Sequence, residues 1–110
     1  MTAADLGYTI RTLETFHVAV RGKGYWEGYR GLAADAEQRF MFSPGWRTVY
    51  PRRVEAALCK VTLADGTVGW GEANAPIAPE VTCLIARNLV AEIVKGRSFA
   101  NPPTMWDLLY

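Results

Sequence analysis

Apolar positions recur along this chain at two periods, and the change from one to the other divides it. Ile10, Leu13, Phe16, Val18 and Val20 follow one another between Tyr8 and Val20, interleaved with threonines. The alternation is cleanest from Phe16 to Val20, which predicts a strand with an irregularity near Leu13. Val54 to Leu63 and Thr67 to Asn74 are two further strand-like runs, and they flank Asp65-Gly66. That dipeptide readily supplies the positive φ of a tight turn, so the two runs form a hairpin. Gly69 and Gly71 bracket Trp70 in the third strand, with Glu72 next. Glycine inside a strand predicts that something packs close to the backbone there.

Beyond Pro79 the period lengthens to that of a helix. Cys83, Ala86, Leu89, Val90, Ile93 and Val94 share one face, and Arg87, Asn88, Glu92 and Lys95 the other. Pro79 suits the first helical position, Glu80 the positive end of the helix dipole, and Gly96 the stop. Leu89, Val90 and Ile93 are expected to pack on the sheet. Val81 and Leu84 fall off the apolar face, so the first turn is expected to meet something beyond the sheet. Asn101-Pro102-Pro103-Thr104 then opens a second helix through Met105 to Tyr110. The pattern predicts an α+β fold, a three-stranded antiparallel meander followed by helices.

Residues 21–53 break both periods. Gly22, Gly24, Gly28 and Gly31 punctuate them, and Tyr25, Trp26, Tyr29, Phe40, Phe42, Trp46 and Tyr50 all fall within them. Gly22-Lys23-Gly24 has neither the spacing nor the Ser or Thr of a phosphate loop. Ala33 to Phe40 could form two helical turns, while Ser43-Pro44-Gly45 and Tyr50-Pro51 are turn signals. So long a loop in a compact domain is functional or disordered, and its aromatic area argues against disorder. Either it is a flap packed on its own sheet or it is a lid over a binding site on another surface.

The totals narrow the classes. At 110 residues the chain is one domain, with half of its residues apolar and a composition that is globular. A net charge of +1 gives no footprint for nucleic acid. Cys59 and Cys83 are too few and too far apart for a metal knuckle and are read as reduced core thiols. Met1 to Gly7 reads as a loose leader. No signal peptide, membrane span or lipidation motif is visible, so a cytoplasmic location is expected. His17, the single histidine, is the obvious general-base candidate. Nothing nearby in sequence gives it an orienting carboxylate or a nucleophile, and it is read as a surface or interface residue. Glu72 is read as structural, accepting hydrogen bonds from loop backbone at the end of the third strand.

Val61-Thr62-Leu63-Ala64-Asp65-Gly66 running into Gly69-Trp70-Gly71-Glu72-Ala73 resembles the N-terminal domain of the enolase superfamily, in its mandelate racemase and muconate lactonizing branch. Ile10 to Val20 is similar to that domain's first strand, Pro79 to Gly96 to its first long helix, and Trp106 to Tyr110 to the opening of its second. The resemblance implies a domain that caps a following (β/α) barrel and does no chemistry itself. In that barrel Mg²⁺, held by carboxylates, stabilises the intermediate formed when a base removes the proton α to a substrate carboxylate.

None of that apparatus can be matched here. Lys23, Lys60 and Lys95 are widely separated, and the carboxylates are scattered. No catalytic residue, metal ligand or cofactor is therefore assigned to this chain, and Mg²⁺ is expected only for a full-length racemase, dehydratase or cycloisomerase, an isomerase or lyase. The resemblance also places a substrate-closing loop after the first strand, which favours the lid reading of 22–53, and a second specificity loop at Asn74 to Ala78. Candidate specificity residues are Tyr25, Trp26, Tyr29, Arg30, Arg47, Asn74 and Ile77. Expected partners are the missing barrel, a carboxylate-containing small molecule and a second copy of the chain in a homo-oligomer, with no nucleic acid or membrane. The chain reads as a fragment, or an early-terminated version, of a longer protein. The competing reading is an autonomous module that binds a small molecule or peptide on the aromatic loop.

Overall fold

The computed structural model describes residues 7–24, 39–43, 45 and 48–109. Strands β1 (Ile10–Gly24), β4 (Arg53–Leu63) and β5 (Val68–Ala73) form one antiparallel sheet in the order β1-β4-β5. The Asp65-Gly66 turn joins β4 to β5 with Gly66 at φ +90°, and the Asp65 carboxylate accepts the Thr67 backbone N–H at 2.9 Å. That side-chain bond holds the turn closed and keeps the Asp65 carboxyl below its ordinary range.

Parts of 22–53 are strand, contrary to the loop expected there. β1 runs on to Gly24, which pairs with Arg53 across a register shift, and β2 (Phe40–Ser43) pairs with β3 (Thr48–Pro51) as a separate hairpin. Phe40 therefore starts a strand, where the end of two helical turns was expected; most of those turns, residues 33–38, lie outside the described residues. The irregularity expected near Leu13 falls at Arg11, between the paired positions Ile10 and Thr12.

The helical layer covers one face of the sheet. α1 (Pro79–Ile85) continues through a π-helical turn (Ala86–Val90) into α2 (Ala91–Val94), and α3 (Pro102–Leu109) follows. Strand alternation puts Leu13, Thr15, His17, Glu55, Ala57, Cys59, Val61 and Leu63 on the helix side. Ile10, Leu63, Val94 and Met105 are buried in one apolar cluster, with Leu13, Val61, Val90 and Ile93 packed against it. Gly96 at φ +83° turns the chain out of the helix, and its N–H bonds the Ile10 carbonyl at 2.8 Å. Ile10 N–H bonds Arg97 in return, so the helix exit is stitched to the start of β1.

Leu89 corrects the expected packing face, since it is 59% exposed while Ala91 is buried. The reason is the π turn, where Ala91 N–H reaches back five residues to the Ala86 carbonyl. An α-helix advances about 100° per residue, and the wider π turn advances less, which sets back every later position. Leu89 is carried out of the face and Ala91 into it. Val81 and Leu84, expected to lie off the face, are exposed. No helix among the described residues is long and apolar enough to cross a membrane.

Candidate functional site

The helix side of the sheet ends, opposite the apolar cluster, in a group of charged side chains. His17 on β1 pairs with Ala57, and Glu55 on β4 with Ala19, so the two side chains are diagonal neighbours on one face. His17 Nε2 and Glu55 Oε1 share a hydrogen bond of 2.8 Å. Glu55 is buried, and its other oxygen accepts Arg39 Nε at 3.1 Å. The two terminal nitrogens of Arg39 donate to the two oxygens of Glu80, at 2.9 and 2.8 Å. His17 Nδ1 lies 3.8 Å from the same Glu80 carboxylate.

Each member arrives from a different element. Arg39 immediately precedes β2, and its carbonyl accepts the Arg52 N–H at 2.7 Å, which closes the base of the β2–β3 hairpin. Its guanidinium also lies 4.9 Å from the centre of the Phe40 ring. Glu80 is the second residue of α1, next to the fully buried Pro79. The forked bond from Arg39 holds the Glu80 carboxyl down at about 2, and Glu80 in turn raises the already high basicity of Arg39.

This geometry overturns the reading of His17 as a residue without an orienting carboxylate. The second ring nitrogen, Nδ1, lies 3.8 Å from Glu80, beyond hydrogen-bond distance, and the Glu80 oxygens already accept the Arg39 fork. The arrangement ties segments together. Arg39, Glu55 and Glu80 were missed as a group because they are joined by strand register and by a hairpin returning to the sheet. Neither carries a spacing signal in sequence.

Of the sequence-derived candidates, Tyr25, Trp26, Tyr29, Arg30 and Arg47 lie outside the described residues. Asn74 and Ile77 lie between β5 and α1, both exposed, in the segment that leads into Pro79 and Glu80. Glu72 is exposed on β5 and makes no hydrogen bond among the described residues, contrary to the backbone-binding role expected of it. It lines a cleft of about 250 Å³ with Thr15, Cys59, Gly71 and Cys83. Both thiols are free; Cys83 is buried, and burial pushes the Cys59 thiol up.

Gly69 and Gly71 also reverse their expectation. A Cβ at either would meet nothing within 4 Å. The helices lie over β1 and β4 and leave the edge strand β5 bare. The glycines instead form the floor of an apolar groove of about 510 Å³, bounded by Cys59, Val61, Leu63, Tyr8 and Phe99. On the opposite face of the sheet Phe16 and Trp70 pack with ring centres 5.8 Å apart, and Lys60 lies 5.7 Å from the Trp70 ring. Trp70 is 62% exposed.

The described residues do not fit a Mg²⁺ site. Among the described residues no three of His, Cys, Asp and Glu converge as ligands. Glu55 and Glu80, which meet at this site, are both already bonded by Arg39, whose positive charge sits where a cation would.

A meander of three antiparallel strands followed by helices defines an α+β domain of a particular kind. It is the fold of the enolase-superfamily N-terminal domain. The chain superimposes on a member of the enolase superfamily from Agrobacterium tumefaciens with a TM-score of 0.71 and 32% identity, over 94% of this chain and 27% of that one. A proposed isomerase from Sinorhizobium meliloti matches with a TM-score of 0.76 and 26% identity, over 96% of this chain and 28% of that one. An open-loop structure of a proposed isomerase from the same organism gives 0.62 and 25%, over 81% and 20%. No family model matches the chain, and no curated protein does. By fold and by sequence the chain is similar to the N-terminal part of enolase-superfamily members. It spans 20–28% of the length of these three structures.

Proposed function

We propose that this chain is the capping and substrate-specificity domain of a Mg²⁺-dependent enzyme of the mandelate racemase and muconate lactonizing type. The observation that carries the proposal is one of extent: 32% identity runs over nearly the whole chain, yet reaches only 27% of the superfamily member it matches. On this reading a domain of that share supplies the walls of the site. The metal and the base that removes the α-proton belong to a following barrel, of about 250 residues in the usual case. This chain's part is to exclude water and to choose among carboxylate substrates, through residues 22–53 and the segment around Asn74 and Ile77.

The test is exchange of a substrate's α-proton in deuterated water, with a panel of α-hydroxy and sugar acids and added Mg²⁺. A protein carrying this chain followed by its barrel exchanges the proton, and the 110-residue chain alone does not. Exchange by the isolated chain, or none by any barrel-bearing form, rejects the proposal.

A further inference from the structure

The charged group at the head of α1 does more than bury one carboxylate. Two stretches that are far apart in sequence meet in it, the β2–β3 hairpin through Arg39 and the 74–78 segment through Glu80. Both are anchored on the sheet by Glu55 and His17. We infer that Arg39 is a positioning residue that clamps the base of the β2–β3 hairpin to the start of α1, so that the hairpin and the 74–78 segment hold their places as one unit.

The chemistry requires arginine. Its Nε points one way, to Glu55, while the fork of its two terminal nitrogens grips both oxygens of Glu80. A lysine ammonium is a point charge and cannot satisfy both directions at once. Glu55 makes the clamp costly to open, because a buried carboxylate that loses a partner keeps its desolvation penalty. The backbone bond from Arg52 to the Arg39 carbonyl fixes the root of the hairpin, so the guanidinium cannot follow Glu80 without moving the hairpin with it. Likewise Glu80 is one residue from the fully buried Pro79, and cannot move without moving the 74–78 segment. Displacement on one side is therefore felt on the other, which is a coupling free energy between two segments. The inference rests on the proposed function only for what those segments do; the clamp itself stands on the geometry.

Amide hydrogen exchange in the 110-residue chain tests it, with Arg39→Lys, Glu80→Gln and the double variant. Glu80→Gln should speed exchange at residues 39–43, and Arg39→Lys at residues 74–80, each by about tenfold, the loss expected of a charge-assisted hydrogen-bond pair. The double variant should exchange no faster than either single one, because both break the same link. Exchange in β4 from Ala57 to Val61 reports whether the sheet is intact. If Arg39→Lys loosens β4 as well, Glu80→Gln, on the exposed side of the cluster, decides alone. Effects confined to the mutated side, or additive in the double variant, overturn the clamp. Coupled exchange in a chain whose barrel-bearing form exchanges no α-proton leaves the clamp standing and removes the proposed function. An active enzyme with uncoupled segments does the reverse.

Discussion

The helix side of the sheet is closed by oil at one end and by charge at the other. At the hairpin end Ile10, Leu63, Val94 and Met105 exclude water without any directional bond. At the far end His17, Glu55, Arg39 and Glu80 meet through four hydrogen bonds of 2.8 to 3.1 Å. Apolar burial tolerates adjustment and supports the fold wherever area is removed from water. A forked ion pair stabilises one geometry and little else. The division suits a domain whose core must merely hold while its loop bases must be placed. It also makes the two ends separable by mutation.

The largest expected effect is at the apolar end. Ile10→Ala removes a side chain that is 4% exposed and should cost about 2–5 kcal/mol in urea unfolding. Leu89→Ala, on the exposed side of the π turn, should stay within about 0.5 kcal/mol of wild type. Equal losses at the two positions would mean that the π turn does not set the packing face.

At the charged end Arg39→Ala strips one partner from buried Glu55 and should cost about 1–3 kcal/mol. Restoring the missing charge as lysine should recover only part of it. Full recovery in the same unfolding assay would show that charge and not the fork holds this end.

Gly71→Ala should act in the opposite direction. The new methyl enters open space and the unfolded chain loses freedom, so the isolated chain should gain about 0.4–1 kcal/mol. A loss would show that the groove over β5 is tighter than its geometry, and thermal unfolding of the variant distinguishes the two.

The last effect is one of pH. The Glu80 carboxyl is held at about 2 against an ordinary 4.5, so between those values the unfolded chain binds more protons than the folded one. The contribution of Glu80 is fully present above about 4.5 and is lost as pH falls through about 2. Acid titration of stability should be shallower in Glu80→Gln across that window. Superimposable curves would remove the Arg39–Glu80 bond from the account.

Much of this was legible in the chain. Period-two alternation, Asp65-Gly66 and the Pro79 to Gly96 helix gave the elements and their order, because each is a local preference written in neighbouring residues. The resemblance to the superfamily rested on the same hairpin, and the structural neighbours bear it out.

The charged site was not legible, because His17 and Glu55 lie 38 residues apart and Arg39 and Glu80 lie 41 apart. What joins them is the register of β1 on β4 and the path of a hairpin back to the sheet. A strand slipped by one residue would put His17 on the other face. Leu89 and the two glycines failed for a related reason. Periodicity says which residues share a side of an ideal element, whereas the π turn and the width of the helical layer decide which sides are covered. Sequence alone determined the strands that flank Asp65-Gly66, that hairpin and the helices, since these depend on local conformational energies, but not β2 and β3. Only the tertiary structure decided where charge is buried, because burial belongs to residues that meet in space and not along the chain.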